Sequence, residues 1–164
     1  MNVSALPKLL IGTALAIVIV GGVIAFISVQ FELYLIIVFP ILMAAIGGFL
    51  AAWWSKELPI DNRLLIAFLA VVLGLAIYGA YRFGEYLFVL NAAEISMSAM
   101  SFGEFLELSA SMGMSIGDVG SGSGDMEFNE QSTQIFWLIE MAVIALTSIY
   151  FAFSSRKNSP LLNS

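Results

Sequence analysis

Residues 83–133 read FGEYLFVLNAAEISMSAMSFGEFLELSASMGMSIGDVGSGSGDMEFNEQST, with eight acidic side chains and no Lys or Arg. Long apolar runs flank this stretch on both sides. Five of the chain's six basic residues (Lys8, Lys56, Arg63, Arg156 and Lys157) lie beyond those runs, and only Arg82 borders the acidic stretch directly. Apolar runs of this length separating acidic from basic segments are the pattern of a membrane protein with one large polar loop. The bias in Lys and Arg sets its direction.

Working outward, residues 64–81 and 135–153 form the apolar runs on either side, and residues 9–29 and 33–54 form two more. About 20 apolar residues in a helix cross about 30 Å of hydrocarbon. Pro40 falls inside the second run and predicts a kink there, which membrane helices tolerate. Lys8 precedes the first run, so a cleaved leader has to be weighed. The run exceeds the usual apolar length of about 7–15 residues and no small-x-small cleavage site follows, so a retained first span is expected.

Composition agrees. Hydrophobic residues make up 60% of the chain and charged residues 11%, with a mean hydropathy of +0.98. An ordinary soluble domain is about 45–50% apolar and about 25% charged. In 164 residues, roughly one domain's worth, the surplus apolar surface cannot all be buried in a core and has to meet lipid. The net charge of −6 argues against nucleic acid as a partner, and against a polybasic grip on lipid headgroups. The absence of Cys removes disulfides, thiolate metal sites and iron–sulfur clusters. The absence of His removes the commonest zinc and haem ligand and the usual near-neutral acid–base group.

With four spans, all basic residues except Arg82 fall on one side, and positive charge stays inside. The expectation is therefore an all-α membrane protein, residues 1–164 forming one membrane domain. It has four transmembrane helices, both termini cytoplasmic, and a long, partly helical extracytoplasmic loop at residues 83–133. Trp53, Trp54, Tyr81, Tyr86 and Trp137 lie near span ends, where amphipathic rings favour the headgroup level.

Small residues recur at four-residue spacing: Gly12 and Ala16, Ala44 and Gly48, Gly48 and Ala52, Ala70 and Gly74. Such pairs lie on one helix face and let two backbones approach closely. They fit an oligomer interface or, more simply, packing within one bundle.

Glu140 is the one carboxylate inside a span. At about 1.5 Å per residue it lies roughly 20 Å from the inner end of its helix, and Arg82 roughly 27 Å along the third. A structural ion pair between them is expected, with Glu85 one turn on from Arg82. Two other readings stand beside it: a proton or cation site at the foot of a vestibule, and an interfacial glutamate with no strong partner.

In the loop, Ser101-Phe-Gly-Glu104 reads as a capping box that opens a short helix. Phe102, Phe105, Leu106 and Ser109 share one face of it, opposite Glu104, Glu107 and Ser111. Phe102, Phe105 and Leu106 are the candidate surface for capping the bundle or meeting a partner. Further on, Asp118, Asp125, Glu127 and Glu130 are oxygen ligands of the type Ca²⁺ takes. The EF-hand spacing is absent, however, and solvated loop acids are the expectation. No catalytic residues, metal site or cofactor are assigned: no nucleophile elbow, phosphate loop, dinucleotide fingerprint or zinc-protease motif occurs.

Several motifs together resemble a group of small bacterial four-span membrane proteins to which no function is attached. They are Gly47-Gly48 before Asp61-Asn62-Arg63, Gly74 with Tyr78, Arg82 and Tyr86, and Ser101-Phe102 with Phe105-Leu106. Gly113 to Gly117 and Phe136-Trp137-Leu138-Ile139-Glu140 complete the set. The likeness covers roughly residues 46–150 and implies a bacterial inner-membrane protein. The expected role is non-enzymatic: an accessory, scaffolding or assembly subunit meeting other membrane or periplasmic proteins, or further copies of itself. The alternative is a small cation transporter or channel built on Glu140 and an acidic vestibule.

Overall fold

The computed structural model describes residues 6–31, 37–112, 115–116, 126–127 and 130–157. It is helical almost throughout: α1 (Leu6–Phe31), α2 (Val38–Glu57), α3 (Arg63–Ala92), α4 (Phe102–Met112) and α5 (Glu130–Lys157). Two short strands, β1 (Ser115–Ile116) and β2 (Met126–Glu127), pair antiparallel between α4 and α5. The sequence reading had no strand in this stretch. The acids Asp118 and Asp125, and the side chains of Glu127 and Glu130, lie outside the described residues.

α1, α2, α3 and α5 are each long and apolar enough to cross a membrane. Their outward faces agree with that. Val18 is 66% exposed, Phe68 66% and Leu146 70%. Large apolar side chains exposed on helix after helix are unfavourable in water and favourable in lipid.

Local sequence sets the ends of these helices. Asn62 caps α3, its side-chain oxygen accepting from the backbone N–H of Leu64 at 2.9 Å and of Leu65 at 3.3 Å. At the other end Glu94 adopts a left-handed backbone (φ 55°). The N–H of Ile95 then reaches back to the carbonyl of Leu90 at 2.9 Å, closing a Schellman turn. α3 is therefore 30 residues long and runs well past residue 81. Pro40 does not kink α2. The helix begins at Val38, so Pro40 lies in the first turn, where its missing N–H would have had no helical partner.

Close contacts fix the bundle's geometry. α1 and α3 run parallel: Gly21 lies against Ala80 and Tyr81, and one turn on Gly84 lies against Ala25. α2 and α5 also run parallel, Gly48 meeting Ser148 and Ala152. α2 and α3 cross antiparallel at Gly47 and Gly74, where a Cβ on Gly47 would lie 2.6 Å from the Gly74 Cα. α3 thus touches every other spanning helix, whereas α1 and α2, though consecutive in the chain, meet only lightly. At the end bearing Lys56 and Arg63, Trp54 Nε1 donates to Thr13 Oγ1 at 2.7 Å, joining α2 to α1. Arg156 lies 3.5 Å from Asp61, joining α5 to the turn before α3.

Of the small residues singled out by spacing, Ala44, Gly48, Ala70 and Gly74 are buried inside the bundle. Gly12 faces the ring of Trp53, and Ala16 is half-buried. Gly48 and Gly74 make tight contacts within the chain. Tyr81 and Tyr86 do not form a headgroup belt either: both point inward and are buried.

Candidate functional site

One cluster of polar residues gathers around Arg82, toward the end that carries α4. Helical spacing supplies its first neighbours. Tyr78 is one turn before it and Glu85 one turn after, so both share its face of α3. Arg82 Nη1 pairs with Glu85 Oε2 at 2.9 Å, and its Nε donates to the Tyr78 hydroxyl at 3.2 Å. The guanidinium centre lies 5.4 Å from the Tyr78 and Tyr81 ring centroids and 4.6 Å from that of Trp137 on α5. These are cation–π distances.

Glu140 reaches the cluster from α5 and is almost wholly buried. Its Oε2 accepts the Tyr78 hydroxyl proton at 3.0 Å and lies 3.8 Å from Arg82 Nη2. The expected helper and principal partner therefore change places. Glu85 is the close carboxylate, while Glu140 accepts from Tyr78 and keeps a longer charge contact to the guanidinium. α1 joins as well, Ser28 Oγ donating to Glu85 Oε1 at 3.2 Å. The Tyr81 hydroxyl donates to the same oxygen. One arginine thus links α1, α3 and α5, within a low-dielectric environment where such bonds strengthen one another.

Sequence reasoning placed Arg82, Glu85 and Glu140 but missed Ser28, Tyr78, Tyr81 and Trp137. The signal for two of them was present. Tyr78 and Arg82, and Tyr81 and Glu85, stand at i, i+4 once the third helix is carried past residue 81. Ser28 and Trp137 come from other helices, and only their docking brings them in.

Glu140 also lines a cleft of about 220 Å³ together with Ile37, Pro40, Phe136, Ile139 and Val143. Apart from the carboxylate its named lining is apolar. Two buried polar atoms have no hydrogen-bond partner among the described residues, Trp137 Nε1 and Ser148 Oγ. The second sits at the tight crossing of α5 with Gly74.

α4 closes this end. Ser101 and Glu104 form the capping box, with Ser101 N–H to Glu104 Oε2 at 2.6 Å and Glu104 N–H to Ser101 Oγ at 3.2 Å. Donation from the Ser101 backbone N–H, and then from the Ser101 hydroxyl, holds the Glu104 carboxyl below its ordinary value. Phe105 is buried against Tyr86 and Leu90, and Phe102 and Leu106 pack beside it. Tyr86 donates to the carbonyl of Met100 at 2.6 Å, and its ring lies 5.6 Å from Phe102 and 5.5 Å from Phe105. The apolar face of α4 therefore packs onto its own bundle, with Phe105 buried and Phe102 and Leu106 half-buried.

The arrangement defines a class: a multi-pass helical membrane bundle with an internal charged and aromatic clasp beneath a helical cap. No protein-family model matches the chain, and neither a curated protein nor a solved structure matches it.

Proposed function

We propose that this chain is a non-enzymatic scaffolding or accessory subunit of the bacterial inner membrane, related to the small four-span proteins it resembles. Both termini and the turn between α2 and α3 lie in the cytoplasm. The connection from α3 to α5, including α4, lies outside. The support for orientation is the end of the bundle at which Lys56, Arg63 and Arg156 collect.

The observation that carries the functional reading is the engagement of Arg82. Its guanidinium meets two carboxylates, a phenol and three aromatic rings. A side chain so fully engaged suits a fixed strut between helices, whereas a translocation site has to release what it binds. A rigid bundle with a docked cap then offers its remaining surfaces to neighbours. Purification in mild detergent is expected to bring a membrane or periplasmic protein along in fixed ratio, and purified chain in liposomes is expected to pass no cations.

One observation favours the cation-transport reading: the cleft that reaches Glu140. Cation flux through the chain alone, abolished by Glu140→Gln, would establish that reading and remove the scaffold.

A further inference from the structure

We propose that the furrow between α1 and α3 is a binding site for one acyl chain of a membrane lipid, in the leaflet on the side of α4. The proposal rests on the reading of these helices as membrane spans. The furrow has a volume of about 480 Å³, and Val18, Gly22, Phe83, Gly84, Leu87 and Asn91 contribute to its lining. It arises from how the two helices meet. Gly21 is pressed against Ala80 and Tyr81, drawing the backbones together. Its neighbour Gly22 has nothing within 4 Å of where a Cβ would stand, so the space beside the contact stays open.

Dimensions select the occupant. Along α3 the lining runs from Ala80 to Asn91, roughly 16 Å at 1.5 Å per residue. Dividing 480 Å³ by that length leaves a mean cross-section of about 30 Å². A helix at least about 10 Å across covers about 80 Å², so it could rest over the furrow but not lie within it. A single hydrocarbon chain, whose carbons approach their neighbours to about 3.5–4.0 Å, does.

Depth gives the same answer. The 30 residues of α3 make about 45 Å, the thickness of a bilayer with its headgroups. On that scale Ala80 stands about 26 Å from the start of α3, near the midplane, and Asn91 about 42 Å, among the headgroups. The furrow therefore spans one leaflet. Among the described lining residues Asn91 is the one whose side chain has hydrogen-bonding groups, an amide that can both donate to and accept from the ester and phosphate region. With no charged side chain among the described lining residues, they give no basis for preferring anionic over zwitterionic lipid.

The test uses the full chain in vesicles of phosphatidylethanolamine and phosphatidylglycerol. These carry a trace of phosphatidylcholine with a photoactivatable diazirine on its acyl chain. Label is expected on the segments around Gly22 and Leu87, roughly tenfold above that at Phe68 and Leu146, which are at least as exposed. Gly22→Leu fills open space and should reduce that label roughly tenfold. Val18→Trp, which narrows the furrow from an exposed position, should do the same if the first variant folds poorly. Gly79→Leu adds equal bulk where nothing lies within 4 Å and outside the named lining, and should change nothing.

Even labelling of all exposed apolar positions, or label indifferent to both filling variants, overturns the site. So does a crosslink between two copies of the chain from a photoactivatable residue placed at Leu87, which would make the furrow a helix-docking surface. Release of the chain from the vesicles by alkaline carbonate would overturn the membrane reading as well, and is scored separately from the labelling.

Discussion

Removing a carboxylate from the Arg82 cluster and removing the arginine itself are different perturbations. Glu140→Gln keeps an acceptor for the Tyr78 hydroxyl and loses the 3.8 Å charge contact. A loss of about 1–2 kcal/mol is expected, the scale of polar contacts between membrane helices. Arg82→Ala leaves Glu85 and Glu140 without a cation in a region of low dielectric, and about 3–5 kcal/mol is expected. Because the groups share one network, the double variant should lose less than the sum, by about 0.5–3 kcal/mol. Reversible unfolding in mixed micelles measures all three, and simple additivity would dissolve the network. Glu104 offers a pH prediction. Its folded-state carboxyl is held low, so its contribution to the cap is fully present above the ordinary carboxylate value and is lost as pH falls through the depressed one. Amide exchange at the start of α4 should quicken over that acidic interval, and Glu104→Gln should flatten the dependence.

Among the helices, what could be read from sequence was whatever period and composition determine. The four apolar runs became α1, α2, α3 and α5, and the capping box at Ser101 opened α4 where expected. What could not be read was which helix faces which. Gly21 with Ala25, and Ala80 with Gly84, are small pairs like the others, but nothing along the chain says that they meet. Pro40 shows the opposite failure: its effect depended on a helix start that hydropathy cannot place to within a turn. The glycines now separate into two kinds, which substitution can check. Gly79→Ala meets open space and should add about 0.5–1 kcal/mol through helix propensity. Gly48→Ala meets the Ser148 carbonyl at 2.5 Å and the Phe151 Cβ at 2.7 Å, and should lose about 1–3 kcal/mol to overpacking. Equal responses at the two positions would contradict the tight α2–α5 contact.

Across the whole molecule, charge and packing assign the two ends different jobs. One end gathers Lys56, Arg63 and Arg156 with Trp53 and Trp54. The other gathers the Arg82 clasp and the acidic cap, where Glu94, Glu104 and Glu107 are exposed. Arg82 is the exception to the charge bias, and the clasp accounts for it: a cation paired with Glu85 inside the bundle presents little free charge to orient the chain. The topology can be mapped cleanly because the chain has no cysteine. Glu57→Cys and Ser98→Cys introduce single thiols at exposed positions on opposite ends. In intact cells a membrane-impermeant maleimide should modify Ser98→Cys and leave Glu57→Cys untouched until the membrane is permeabilised. The reverse pattern would invert the orientation, turn the acidic cap inward and move the acyl-chain furrow to the cytoplasmic leaflet. Modification of both thiols in intact cells would mean that the spans between them do not cross as an odd number.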